Sequence, residues 1–202
     1  MDESQRDELF RLNHTASQYI QQFLHGDSTA FQQLVQMFGK RVLRIIQKMI
    51  YSYHDVQDLN NEVWLKVAQN LHKYDQTYPF HSWLYRLVSN TCIDFLRKKR
   101  EITMEDDQLH HQINKAVLNN NPEEEFIQKE FVSQLHELLH HLDETDRLIV
   151  TLRFTDQLSY DEIGELVGMS KNTVGTRLFR ARKQLKQLFE HQVQRRVIDA
   201  AY

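Results

Sequence analysis

Apolar residues recur along most of this chain at intervals of three and four, the spacing of one helix face, so the pattern predicts helices throughout. From Asp27, the residues Phe31, Leu34, Val35 and Phe38 mark the inner side of a helix. A second apolar helix is expected from about Arg41 to Tyr51. A third runs from about His54 to Leu71, with Val56, Leu59, Val63 and Val67 inward. "HKYDQTYPF" interrupts the pattern, because Pro79 cannot continue a helix. A fourth helix then runs through "FHSWLYRLVSN" and ends in "RKKR" at 97–100. These four segments predict one compact helical unit. Residues 1–18 are polar and read as a tail or a marginal helix.

The pattern lapses after residue 100. Residues 101–125 are acidic, rich in Asn and Gln, and contain Pro122, which predicts a flexible linker. A second unit follows from about Phe126 to Phe189. Leu135, Leu138, Leu139 and Leu142 form one stripe, and "DRLIVTLRF" continues it with Leu148, Val150 and Leu152. The expected fold class is all-α: two small helical domains joined by a flexible linker, the second containing a helix-turn-helix. The expected boundaries are a tail at 1–25, a first domain at 26–100, a linker at 101–126, a second domain at 127–190 and a C-terminal tail at 191–202.

Composition supports this reading. Five glycines and two prolines in 202 residues leave little room for a loop-rich fold. No apolar run has the length of a membrane span and no signal-like leader opens the chain, so no membrane insertion is expected. The lone Cys92 excludes an intramolecular disulfide and fits a reducing cytoplasm. It lies on the apolar arc of its helix, as a buried structural thiol would. The net charge of −3 conceals an uneven distribution.

That unevenness is sharpest near the C-terminus. "SYDEIGELVGMSKNTVGTRLFRARKQL" reads as a helix-turn-helix. Ser159 with Glu162 forms a capping box, Gly168 suits the sharp turn, and Ser170 can cap the next helix. Val174, Leu178, Ala181 and Leu185 line that helix's inner face. Its outer face carries Asn172, Thr173, Thr176, Arg180 and Lys183, flanked by Lys171 and Arg177. No acidic residue occurs from Lys171 to Lys186, so the face suits DNA.

The Trp83 helix poses a different question. At about 100° per residue, Leu84, Val88, Cys92, Phe95 and Leu96 share an apolar arc, while Trp83 falls opposite with Arg86, Asn90 and Arg97. Packing of the indole against a neighbouring helix is one reading, and a nucleic-acid contact is the other. A third motif, "HELLH" at 136–140, places His136 and His140 one turn apart with Glu137 between them, as in zinc peptidases. No further ligand is marked, and catalytic zinc needs a third protein ligand. Neither a catalytic residue nor a metal or other cofactor is therefore expected.

The order of these parts resembles a bacterial RNA polymerase sigma factor of the extracytoplasmic-function group, in the sigma-70 family. "GDSTAFQQLVQMF", "DVQDLNNEVWLKVAQNL" and "FHSWLYRLVSNTCIDFLRKKR" look like successive parts of its region 2. "LDETDRLIVTLRFTDQLSYDEIGELVGMSKNTVGTRLFRARKQL" looks like its region 4. The resemblance implies binding to core RNA polymerase and promoter DNA, restraint by an anti-sigma factor, and no catalytic chemistry. It implies that Trp83, Arg86, Asn90 and Arg97 meet the minus-ten element, with the "HKYDQTYPF" loop holding a flipped base. Lys171, Asn172, Thr173, Thr176, Arg177, Arg180 and Lys183 would meet the minus-thirty-five element. Asp58, Asn61, Glu62 and Lys66 would dock on polymerase, although relatives commonly have Gln-Glu where Asn61-Glu62 stands here. Relatives also frequently carry a basic residue at the position of Gly175. A one-component helix-turn-helix regulator is the alternative reading, and a zinc peptidase a distant third.

Overall fold

The computed structural model describes residues 3–105 and 137–199. Its helices are α1 (Glu3–Leu24), α2 (Ser28–Met49), α3 (Tyr53–Asn70), α4 (Phe80–Glu105), α5 (Glu144–Thr155), α6 (Tyr160–Val167) and α7 (Lys171–Asp199). A 3₁₀ turn at Leu71–Lys73 closes α3, and residues 137–140 form a helical turn before α5.

The first unit holds four helices, but not the four expected. The segments from Asp27 and from Arg41 are one continuous helix, α2, because Ala30, Leu34, Phe38, Val42, Ile45, Ile46 and Met49 form an unbroken buried stripe. Gly39 in its middle costs about 1 kcal/mol relative to alanine. Burying several large side chains, each worth about 1.5–3 kcal/mol, outweighs that cost. The vacated place is taken by α1, expected as a tail or marginal helix. Its Ala16 and Ile20 are buried, with Leu12, Tyr19 and Phe23 packed beside them. Asp27 caps α2 by accepting from the Thr29 amide, and Ser52 caps α3 by accepting from that of Asp55.

Helix α4 runs past the RKKR segment to Glu105, so its last turns occupy residues expected in the linker. The remaining expected linker, with Pro122, lies outside the described residues, as do Leu135 and His136 of the second unit. Cys92 is buried, and burial pushes its thiol up to about 12.

In the second unit, α5 starts at Asp143, which accepts from the Asp146 amide, and buries Arg147 through Leu152. A buried arginine was not foreseen. Its guanidinium donates to the carbonyls of Met49 (2.9 Å), Leu139 (3.1 Å), Leu142 (3.1 Å) and His140 (3.2 Å). These carbonyls lie at or just beyond helix C-terminal ends, where unpaired oxygens concentrate negative potential and favour a cation. The HELLH segment therefore supplies carbonyls to Arg147, and the His140 ring packs edge-on to Tyr51 with centroids 5.3 Å apart.

The two units share a boundary. Leu139, Leu142, Leu148, Leu152, Leu158, Ile163 and Leu166 belong to the same buried cluster as Ile45, Met49, Leu84 and Tyr85. The two helical units expected from the sequence also pack on each other, α2 on α5 and α4 on α6.

Candidate nucleic-acid interface

The helix-turn-helix is built by its caps and glycines. The Ser159 hydroxyl accepts from the Glu162 amide while the Glu162 carboxylate accepts from the Ser159 amide at 2.7 Å, completing the capping box. Gly168 ends α6 in the left-handed conformation, at φ 70°, where a side chain would be strained. Ser170 accepts from the Thr173 amide and opens α7. Val174, Leu178 and Ala181 are buried, with Leu185 half-buried, as the spacing required.

The outer face of α7 divides into distinct environments. Asn172, Thr173, Thr176, Arg180 and Lys183 are exposed. Lys171 is also exposed, paired with Asp161 at 2.7 Å. Arg177 departs from the expected group. Its guanidinium turns toward the start of α5 and binds Asp146 at 2.7 Å and Asp143 at 3.6 Å. These charges raise its pKa further, with the Asp146 hydrogen bond the largest cause. It therefore positions α7 on α5. Lys183 borders a groove between α5 and α7 that also includes Phe154, Phe179, Arg182 and Lys186.

Gly175 has a neighbour that the sequence did not reveal. A Cβ there would lie 3.6 Å from the ring of Tyr160, which itself lies under Arg153. The glycine seats α7 against the first residue of α6. Gly164 is closer still to its surroundings, since a Cβ there would lie 2.5 Å from the Met169 carbonyl oxygen. Sequence reading passed over this glycine because it sits inside a helix pattern, away from any turn signal.

On the first unit, Trp83 packs against neighbouring aromatic rings without being fully buried. The indole is half-buried, stacked on Phe80 with centroids 5.7 Å apart and tilted against Tyr74 at 5.5 Å. Those contacts fix its orientation and leave part of the ring accessible. Arg86, Asn90 and Arg97 are exposed. Arg97 pairs with Asp94 at 3.0 Å, and Arg86 donates to the Glu165 carbonyl of α6 at 2.8 Å. The four residues thus lie along one side of α4, with Arg86 already engaged by the second unit. In the adjoining loop, the Tyr74 hydroxyl donates to the Tyr78 carbonyl, and burial pushes that hydroxyl up to about 12. Tyr78 itself is 67% exposed, an accessible aromatic on this loop that sequence reading did not single out.

Near the start of α4, His81 is buried and bonded through Nδ1 to the Asn13 amide at 2.8 Å. Burial lowers its pKa to about 4, so the ring is neutral at pH 7.

The third group lies on α3. Asp58, Asn61 and Glu62 are exposed, while half-buried Lys66 pairs with Glu62 at 2.6 Å. Leu65 belongs to the same stripe and is 59% exposed. Its position four residues after Asn61 was the available signal, masked by the assumption that leucine faces inward.

Among the described residues, no group of three or more His, Cys, Asp or Glu side chains could hold a metal ion. No described helix is long and apolar enough to cross a membrane. The arrangement offers hydrogen-bond donors, cations and aromatic faces on two separate helices. That is the equipment of a protein reading nucleic acid at more than one point.

Comparison with known proteins makes the class specific. Residues 34–102 match the family model "Sigma-70 region 2", and residues 133–185 match "Sigma-70, region 4". The ECF RNA polymerase sigma factor SigW of Bacillus subtilis is 28% identical over 176 residues, covering 83% of this chain and 92% of that protein. The ECF RNA polymerase sigma-E factor of Haemophilus influenzae is 26% identical over 173 residues, covering 83% and 91%. The sigma factor RpoE of Bartonella quintana, solved with the anti-sigma factor NepR, shares the fold with a TM-score of 0.64. It is 17% identical, over 79% of this chain and 96% of that one.

The chain belongs to the sigma-70 family, in its extracytoplasmic-function group. It is a non-enzymatic transcription initiation factor that binds core RNA polymerase and directs promoter-specific initiation.

Proposed function

We propose that the α4 face reads the minus-ten element while α7 reads the minus-thirty-five element. The observation that carries this assignment is the pre-set indole of Trp83. Its lower face rests on Phe80 and Tyr74, and its accessible part lies near exposed Arg86 and Asn90. An indole held this way can replace the stacking lost when a base pair separates, worth about 1–3 kcal/mol per base. Asn90 can bond the edge of an unstacked base, and Arg86 and Arg97 can hold phosphates. Tyr78 extends the aromatic surface across the neighbouring loop. On α7, Lys171, Asn172, Thr173, Thr176, Arg180 and Lys183 contact the upstream element, with Arg177 fixing the helix that carries them.

Polymerase docks on α3 through Asp58, Asn61, Glu62 and Lys66, with Leu65 as the apolar centre. The protein works in the cytoplasm, which its lone thiol supports. An anti-sigma factor restrains it, as the RpoE of Bartonella quintana is bound by NepR.

Trp83→Ala tests the central assignment. Removing a half-buried tryptophan should cost about 2 kcal/mol, below the 3–5 kcal/mol typical of full burial. The variant should fold and form a closed complex with polymerase on promoter DNA. Open-complex formation, read as permanganate reactivity of unpaired thymines, should fall, most severely in the cold. Wild-type opening in a folded variant would make Trp83 a packing residue and overturn the assignment.

A further inference from the structure

Asn13 is a polar side chain on the inward side of α1. It stands three residues before Ala16 and seven before Ile20, both buried in the core, and is itself half-buried. An amide in such a place needs hydrogen-bond partners, and it finds them 68 residues away at the start of α4. Asn13 Oδ1 accepts from the His81 backbone amide at 3.2 Å, while Nδ2 donates to His81 Nδ1 at 2.8 Å. With Nδ1 accepting, the ring proton lies on Nε2, which donates to Ser82 Oγ at 3.3 Å. The first amides of a helix have no intrahelical acceptor, and a side-chain oxygen just before the helix normally takes the second or third of them. Here Pro79 precedes α4 and has no side-chain oxygen to offer. His81 is the second residue of α4, so Asn13 performs the capping function from another helix. The Ser82 and Trp83 amides turn back to the Pro79 carbonyl, at 3.1 and 3.4 Å.

We propose that Asn13 is a positioning residue for promoter opening, holding the first turn of α4 and with it the angle at which Trp83 is presented. The inference rests on the assignment of Trp83 to the minus-ten element above. The link runs through one turn of helix. Phe80 is completely buried, stacks on the indole, and packs edge-on to Phe38 at 5.2 Å and to Tyr74 at 5.4 Å. Phe80, His81 and Trp83 share that turn, so fraying it moves the wedge and its support together. Helix α1 lies ahead of residues 34–102, the stretch matched to region 2, and supplies no residue to the proposed DNA face. Its part is mechanical. Anchored in the core through Ala16 and Ile20, it carries an acceptor to a helix start that lacks its own.

The test uses the full chain in a Trp64→Phe background, which leaves Trp83 as the sole tryptophan. Asn13→Ala removes both donor and acceptor. Asn13→Asp restores an acceptor, and its charge suits a helix N-terminus. Ile20→Val trims the packing of α1 but removes no hydrogen bond. Acrylamide quenching of Trp83 fluorescence in the free protein should rise about twofold in Asn13→Ala, as a half-buried ring in a frayed turn becomes exposed. Asn13→Asp and Ile20→Val should quench like the parent. With polymerase bound to promoter DNA, permanganate reactivity of unpaired thymines should fall about fivefold in Asn13→Ala, the factor that a lost helix cap represents. Asn13→Asp should recover most of that loss, and core polymerase affinity should be equal in all variants. Asn13→Ser is too short to reach the His81 amide; it should give the same readings as alanine and replaces it if alanine unfolds the chain. Parent-like quenching in folded Asn13→Ala or Asn13→Ser overturns the inference, as does raised quenching with unimpaired opening. So does an equal loss of opening in Ile20→Val, which would make α1 a general packing element. Normal opening by Trp83→Ala would instead remove the promoter reading on which the inference rests, and the quenching difference would survive it.

Discussion

Gly164→Ala adds one methyl group where α6 passes beneath the turn leading to α7. The added Cβ would lie 2.5 Å from the Met169 carbonyl oxygen. That oxygen belongs to the backbone, so relief requires moving the turn and not merely a side-chain rotation. Overpacking of this kind costs about 1–3 kcal/mol, and a rigid obstacle places it in the upper part of that range. Alanine returns about 1 kcal/mol of helix propensity. The net expectation is a destabilisation of about 1–2 kcal/mol, lowering Tm by roughly 2–8 °C for a chain of this size. Two other glycines calibrate the measurement. At Gly39 a Cβ would meet Val35 at 3.9 Å, and at Gly175 it would meet Tyr160 at 3.6 Å, both ordinary contacts. Gly39→Ala and Gly175→Ala should therefore be stabilised by about 0.5–1 kcal/mol, since propensity acts unopposed. Thermal unfolding of the three variants measures these values in parallel. Binding of an upstream-element duplex should fall for Gly164→Ala, because the displaced turn re-aims α7. If Gly164→Ala proves as stable as Gly39→Ala, the close approach of the turn is not a constraint and the reasoning fails.

Acidification should weaken the first unit through His81. Its pKa falls from 6.5 to about 4 on folding, so its stabilising contribution is complete above pH 6.5 and is lost as pH drops toward 4. Between pH 7 and pH 5 the loss should reach about 2 kcal/mol, and His81→Gln should flatten the denaturation-versus-pH profile over that interval. Glu62→Arg should weaken core polymerase binding at least about tenfold by replacing attraction with repulsion at the docking face. Its Tm should change little, because the exposed Glu62–Lys66 pair is worth at most about 0.5 kcal/mol; unchanged affinity in a pull-down titration would remove Glu62 from the interface.

Helix-turn-helix geometry was the most legible part of the sequence. The capping box, turn glycine and inner-face spacing are local: each involves residues within a few positions of one another. The same holds for α3 and for the helical character of α4. Two helices were expected where α2 is continuous, because the buried stripe that carries it from Ala30 to Met49 is visible only across its full length. Helix α1 was underestimated for a related reason. Leu12, Ala16, Tyr19, Ile20 and Phe23 have helical spacing, but its long polar stretches gain stability only by docking on residues distant in sequence.

The sequence by itself determined the helical class, the helix-turn-helix and the types of residue on its outer face, because helix periodicity, capping and charge distribution act over one or two turns. Tertiary structure decided which of those residues remain available. Arg177 met Asp146, Arg86 met the Glu165 carbonyl, and Trp83 acquired Phe80 and Tyr74 as its support. It also buried Arg147 among carbonyls from both units and set Asp156 opposite α2. Such pairings join residues as many as 98 positions apart. No local rule encodes them, because a guanidinium has the same composition and the same helical phase whether it finds a phosphate, a carboxylate or a backbone oxygen. Its partner is fixed only when packing of the apolar faces brings distant helices within hydrogen-bonding distance.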